Sequence, residues 1–108
     1  MNSNSNDRCV ELVKQTMDIF GGKWAIIIIG ALYSGTKRFN EMNRDLGINT
    51  KSLADALKSL EANGIVTRTV YPTVPVTVEY SLTEKGRDFG QICLAMNAWG
   101  EKWLVDKS

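Results

Sequence analysis

At Asn63–Gly64 the hydrophobic period of this chain changes, and that change limits the folds open to it. Before it, apolar residues recur every three or four positions, as in a helix with one buried face. After it they alternate, as in a half-buried strand. The segment before the break, "TKSLADALKSLEANG" at 50–64, puts Leu53, Leu57 and Leu60 on one helical face. Roughly opposite lie Lys51, Asp55 and Lys58, with small residues such as Ser52, Ser59 and Ala62. Such a flank is either wet or laid against something else, and its neighbours decide which.

Upstream, "KRFNEMNRDL" places Phe39, Met42 and Leu46 at helical spacing. Lys37 and Arg38 are expected to begin this helix, with Ser34 or Thr36 as its N-cap. Gly47 stops it, as glycine does just past a helix end. "GIN" then turns the chain into the 50–64 helix, with Ile48 in the core and Asn49 or Thr50 as the cap. Two short helices across a tight turn make a helix-turn-helix pattern. Downstream, "IVTRTVY" and "VTVEYSL" read as two strands joined through "PTVP". Its prolines restrict the connection and donate no ladder bonds, which predicts a hairpin with a stiff, projecting tip.

At the amino end, "MNSNSN" at 1–6 reads as a polar, mobile tail, and residues 7–108 as a single domain. Val10, Val13, Met17 and Phe20 predict an amphipathic helix from Asp7 to Phe20, broken by "GG" at 21–22. "KWAIIIIGALY" favours a strand by propensity. Its length between breakers favours a short, central helix, hydrophobic all round, and that reading is preferred. After "TEKG", with Thr83 as N-cap, Phe89, Ile92, Cys93, Met96, Trp99 and Trp103 repeat at three or four. They predict a helix of over twenty residues with nothing after it in the chain to pack on. The expected fold class is mainly α with a small β-hairpin wing.

Composition sets broad limits. The chain has 108 residues, 44% hydrophobic and 23% charged, with a net charge of +1. That suits one compact domain and argues against disorder, but says nothing by itself about nucleic acid. Residues 37–68 carry a net charge of +2 and residues 79–108 a net charge of −1. The chain has two cysteines, no C-x-x-C and no histidine, which removes most zinc sites and Ser-His-Asp or Cys-His machinery. The opening residues lack a signal-peptide pattern, and the ten-residue run "WAIIIIGALY" is too short to span a bilayer. A cytoplasmic protein is expected, with no cofactor, no metal and no membrane partner.

A helix-turn-helix followed at once by a two-stranded wing is a winged-helix arrangement, and its second helix enters the major groove of double-stranded DNA. Asn49, Thr50, Lys51, Ser52, Asp55 and Lys58 would then face DNA. Asn and Ser hydrogen-bond base edges, and Lys reaches guanine or phosphate. Asp55 either accepts from a cytosine amino group or orients Lys51 or Lys58. Arg68, Thr73 and Thr77 are placed to meet phosphate or the minor groove. Lys37 and Arg38 would put a phosphate at the amino end of the positioning helix. For Arg38 a surface salt bridge to Glu41 or Asp45 is an equal alternative. Lys23 and Trp24 read as structural. The rival function is a winged-helix protein–protein module that never touches DNA. An enzyme has little behind it.

Taken in order, Cys9, "GGKW" at 21–24, "RFNEM" at 38–42, "LADALKSLEANGIVTR" at 53–68, "VPVTVEYSLTEKG" at 74–86 and "WG" at 99–100 resemble the HxlR-type winged-helix regulators of bacteria, within the wider MarR-like group. The resemblance runs from Cys9 to Trp99. It implies a homodimeric transcription factor that binds a pseudo-palindromic operator, its first and last helices forming the dimer interface. Val10, Val13, Met17, Phe89, Ile92, Cys93, Met96, Trp99 and Trp103 would lie in that interface. An unpartnered last helix with two tryptophans independently suggests a second chain. Repression is favoured over activation. Cys9 is expected near a helix start beside Arg8, where a thiol is activated. In the family an early cysteine serves some members as a sensor of oxidants or electrophiles. A disulfide to Cys93 of the other subunit, reaction of Cys9 alone, and simple burial of Cys9 are all open. The sequence specifies no small-molecule effector.

Overall fold

The computed structural model describes residues 3–106. Residues 1–2 of the expected tail and residues 107–108 of the expected domain lie outside the described residues. The element order is α1 (Ser3–Phe20), α2 (Ala25–Leu32), β1 (Lys37–Arg38), α3 (Phe39–Asp45), α4 (Thr50–Ala62), β2 (Val66–Tyr71), β3 (Thr77–Leu82), α5 (Glu84–Asp88) and α6 (Gly90–Trp103). α1 therefore begins at Ser3, four residues before the expected start at Asp7.

The core forms where α2, α4 and the sheet meet. Ile28, Ile29 and Leu32 of α2 pack there with Leu53, Leu57 and Leu60 of α4, and with Ile65, Tyr80 and Leu82. The helical reading of "KWAIIIIGALY" holds, although α2 is not enclosed on every side: Ile27 is exposed. Trp24 is half-buried against this core, and the Lys23 ammonium lies 4.9 Å from its ring centroid, a cation–π contact.

The sheet has three strands in the order β1-β3-β2, all antiparallel. Lys37 and Arg38 do not begin a helix. They pair with Tyr80 and Glu79 of β3 and lace the start of α3 to the wing. Arg38, rather than Ser34 or Thr36, holds the N-cap position of α3, and its amide donates to Glu41 Oε1 at 3.1 Å. In β3 the period of two buries Tyr80 and Leu82, while Glu79 and Ser81 stay partly exposed.

The long last helix is also revised. It is divided at Phe89 into α5 and α6, with tightened i→i−3 bonds from Phe89 to Gly86 and from Ile92 to Phe89. Two close approaches accompany the division. A Cβ at Gly86 would collide with the Ile65 carbonyl oxygen, and one at Gly90 with the Tyr33 ring. Thr83 caps α5 as expected, accepting from the Gly86 amide at 3.1 Å. Lys85 Nζ donates to the Asn63 carbonyl at 2.9 Å and ties α5 to the end of α4.

Candidate nucleic-acid interface

The turn into α4 is made by residues suited to it. Gly47 takes φ +66°, in the left-handed region where a side chain is unfavourable. Ile48 is buried at 2% exposure and plugs the core. Asn43 Nδ2 donates to the Ile48 carbonyl at 2.7 Å and latches the end of α3 across the turn. Asn49 is the N-cap, its Oδ1 accepting from the Ser52 amide at 2.8 Å.

Leu53, Leu57 and Leu60 are 0–1% exposed and fix the rotation of α4 about its axis. At 3.6 residues per turn, Lys51, Asp55, Lys58 and Ala62 then point away from the body. All four are exposed. Lys51 Nζ lies 2.9 Å from Asp55 Oδ2, so Asp55 orients Lys51 rather than Lys58. Thr50 is exposed and Ser52 half-buried in the first turn.

Between α3, α4 and the wing runs a groove of about 1070 Å³. Four cations line it, Arg38, Arg44, Lys58 and Arg68, against the carboxylates of Glu41 and Glu61. The structure thus brings Arg38, Lys58 and Arg68 together from three elements. Arg38 Nε is 3.9 Å from Glu79 Oε2, so its guanidinium pairs with the wing, while Glu41 takes the Arg38 amide instead. Asp45 is taken by Arg44 at 3.0 Å. Lys37 lies in β1, one residue before the N-cap of α3, rather than in the helix itself.

At the wing tip, Thr73 Oγ1 donates to the Pro75 carbonyl at 2.7 Å and lies 3.2 Å from Thr77 Oγ1. The two hydroxyls brace a turn that contains a cis Val74–Pro75 peptide. Sequence reasoning missed Arg44 as a groove residue and Asn43 as the latch. An asparagine inside a short helix next to a turn was the available signal, since its side chain competes for backbone partners.

Cys9 is exposed on α1, in its second turn rather than at its start, so the helix end is not beside it. Cys93 is half-buried, and burial pushes its thiol up from 9.0. Val10, Val13 and Met17 are 53–55% exposed on α1. Ile92, Met96, Trp99 and Trp103 are 47–63% exposed on α6. Phe89 departs from that set, because its ring is buried on Phe20 inside the chain's own core. The Cα radius of gyration is 16.4 Å, against about 13 Å for a compact chain of this length. Among the described residues no group of His, Cys, Asp or Glu is placed to hold a metal, and no helix is long and apolar enough to cross a membrane.

The HxlR-like helix-turn-helix family model matches residues 19–108. This chain belongs to the HxlR family. It is 49% identical over 90 residues to the HTH-type transcriptional regulator YybR of Bacillus subtilis, a match covering 82% of this chain and 72% of that protein. The fold is similar to that of the redox regulator HypR in its oxidized form, with a TM-score of 0.79 and 45% identity, over 89% of this chain and 97% of that one. It is also similar to the reduced form of the transcriptional regulator YodB from B. subtilis, with a TM-score of 0.73 and 38% identity, over 88% and 94% of the two chains. An HxlR chain is a DNA-binding transcriptional regulator of helix-turn-helix type and not an enzyme. α3 and α4 are its helix-turn-helix, and β2 and β3 its wing.

Proposed function

We propose that this HxlR regulator is a homodimeric repressor of a pseudo-palindromic operator and that Cys9 is its oxidant-responsive group. The observation that carries the DNA contacts is the outward face of α4, with Lys51, Asp55 and Lys58 exposed beside a groove that holds Arg38, Arg44 and Arg68. In this reading α4 lies in the major groove, and the groove cations hold phosphates. The apolar stripes of α1 and α6 support pairing. Val13, Met17, Trp99 and Trp103 expose more than half their surface, which is costly unless covered. Two copies joined there present two α4 helices about 34–36 Å apart. A domain seated on promoter DNA in the cytoplasm acts most simply by excluding polymerase.

Likeness to HypR, known in oxidized and reduced forms, supports the redox part. The exposed Cys9 thiol either joins Cys93 of the partner subunit, two thiols giving up two protons and two electrons to the oxidant, or reacts alone. Genomic DNA retained by the protein, with and without a thiol oxidant, tests both parts. A sequence-dependent, salt-sensitive set of fragments that changes on oxidation is expected. Retention of no specific fragment removes the operator reading. An oxidant response that survives Cys9→Ser removes the sensor.

A further inference from the structure

The Lys51–Asp55 pair sits where neither the stability of α4 nor general attraction to DNA explains it. Lys51 is in the first turn of the helix, where a cation opposes the helix dipole, and no acidic residue stands in that turn. A lysine four residues before an acid is also the weaker order for an i,i+4 pair. The side chains are 85% and 66% exposed, so their mutual attraction adds little to folding. A carboxylate on the face that meets a polyanion weakens indiscriminate binding. Local rules broken together at one exposed spot mark a functional site.

We infer that Lys51 and Asp55 act as one unit that reads a G·C base pair in each operator half-site. This rests on α4 being the reading helix. Lys51 Nζ donates to guanine O6 or N7, and Asp55 accepts from the cytosine N4 amino group. In a G·C pair, O6 and N4 are themselves hydrogen-bonded to each other, so the base edge offers an acceptor and a donor one hydrogen-bond length apart. Thymine O4 and adenine N6 do the same, but only guanine adds a second acceptor, N7, beside O6 for the ammonium, where thymine has its methyl group. Lys51 Nζ and Asp55 Oδ2, at 2.9 Å, offer the complementary donor and acceptor at the same spacing. Lys23 shares a small cleft with Asp55, but its ammonium lies over the Trp24 ring. The carboxylate therefore also rejects: a base presenting an acceptor to Asp55 meets a second acceptor, and specificity comes from that repulsion as much as from the match.

The test is selection from a pool of randomised DNA duplexes by the full-length protein and by Asp55→Ala, Asp55→Asn and Lys51→Ala, with circular dichroism to check folding. The parent protein is expected to enrich a two-fold consensus with a G·C pair at one position of each half. Asp55→Ala should keep the rest of the consensus and lose about tenfold of the preference there. Asp55→Asn should move that position towards A·T, because an asparagine amide matches adenine N6 and N7. Lys51→Ala should weaken the same position and no other. An unchanged consensus from folded Asp55→Ala and Asp55→Asn variants overturns the inference while leaving DNA binding standing. A parent protein that enriches nothing overturns the DNA reading itself.

Discussion

Phe20, the last residue of α1, lies flat on Phe89, with ring centroids 3.7 Å apart and planes 13° from parallel. Phe89 also separates α5 from α6. The stack therefore fixes the amino-terminal helix to the joint of the carboxy-terminal ones, and the two apolar stripes are held in one relation to each other.

Phe89→Ala should lower stability by about 3–5 kcal/mol, the usual cost of deleting a buried aromatic ring. Urea unfolding at several protein concentrations checks this. A loss below about 1 kcal/mol would mean the stack is not part of the core. In a dimer the midpoint should also become more dependent on concentration.

Gly86→Ala should be worse tolerated than Gly90→Ala. The new methyl at Gly86 meets the Ile65 backbone, which cannot step aside, whereas at Gly90 it meets a Tyr33 side chain with one face in solvent. Overpacking at Gly86 should lower stability by about 1–3 kcal/mol. Tyr33→Ala should relieve Gly90→Ala and leave Gly86→Ala unimproved. Thermal melts of the single and double variants decide it.

Removing the α4 cap by Asn49→Ala should lower stability by about 1 kcal/mol. Asn43→Ala strips the Ile48 carbonyl of its partner and should cost a similar amount. Only the Asn43 change frees α3 from the turn, whereas Asn49 stands at the amino end of α4 as a candidate base contact, so both changes should weaken DNA binding, and Asn49→Ala should also lower sequence preference. Paired melting and gel-shift measurements separate the two effects.

Arg68→Ala should weaken binding to every duplex alike. It should also flatten the dependence of log K on log salt by about one for each phosphate that Arg68 neutralises. Equal slopes for parent and variant would place Arg68 away from the phosphates.

Cys93 gives an alkaline signature. Burial pushes its thiol up from 9.0, so the folded chain holds the proton more tightly than the unfolded chain. The resulting stability is fully present below 9.0 and is lost as pH climbs through the raised folded value. Cys93→Ala should remove that alkaline decline. Below it, a thiol reagent should label exposed Cys9 faster than half-buried Cys93, read by mass spectrometry of the peptides.

Much of this was legible in the residues, because regular spacing encodes burial directly. The leucines at 53, 57 and 60 gave the rotation of α4, and the alternation through Tyr80 and Leu82 gave the buried face of β3. Asn49, two residues past Gly47, was one of two readable caps, Thr50 being the other. What escaped reading has no period. β1 is two residues long, too short to alternate, and exists only because β3 offers an edge. The division at Phe89 arises from close approaches of Gly86 and Gly90 to residues distant in sequence. The extra turn of α1 is polar and carries no hydrophobic pattern. At the site, the face of α4 was predictable from helical geometry. The gathering of Arg38, Arg44 and Arg68 around one groove depends on how three elements meet.

Because Lys37 and Arg38 are paired with β3, the helix-turn-helix and the hairpin share one sheet and form a single head. Such a head is poorly suited to switching by bending. In the proposed dimer, a signal arriving at α1 or α6 would act as on a pair of calipers, resetting the gap between two unchanged jaws until they no longer match the pitch of the double helix.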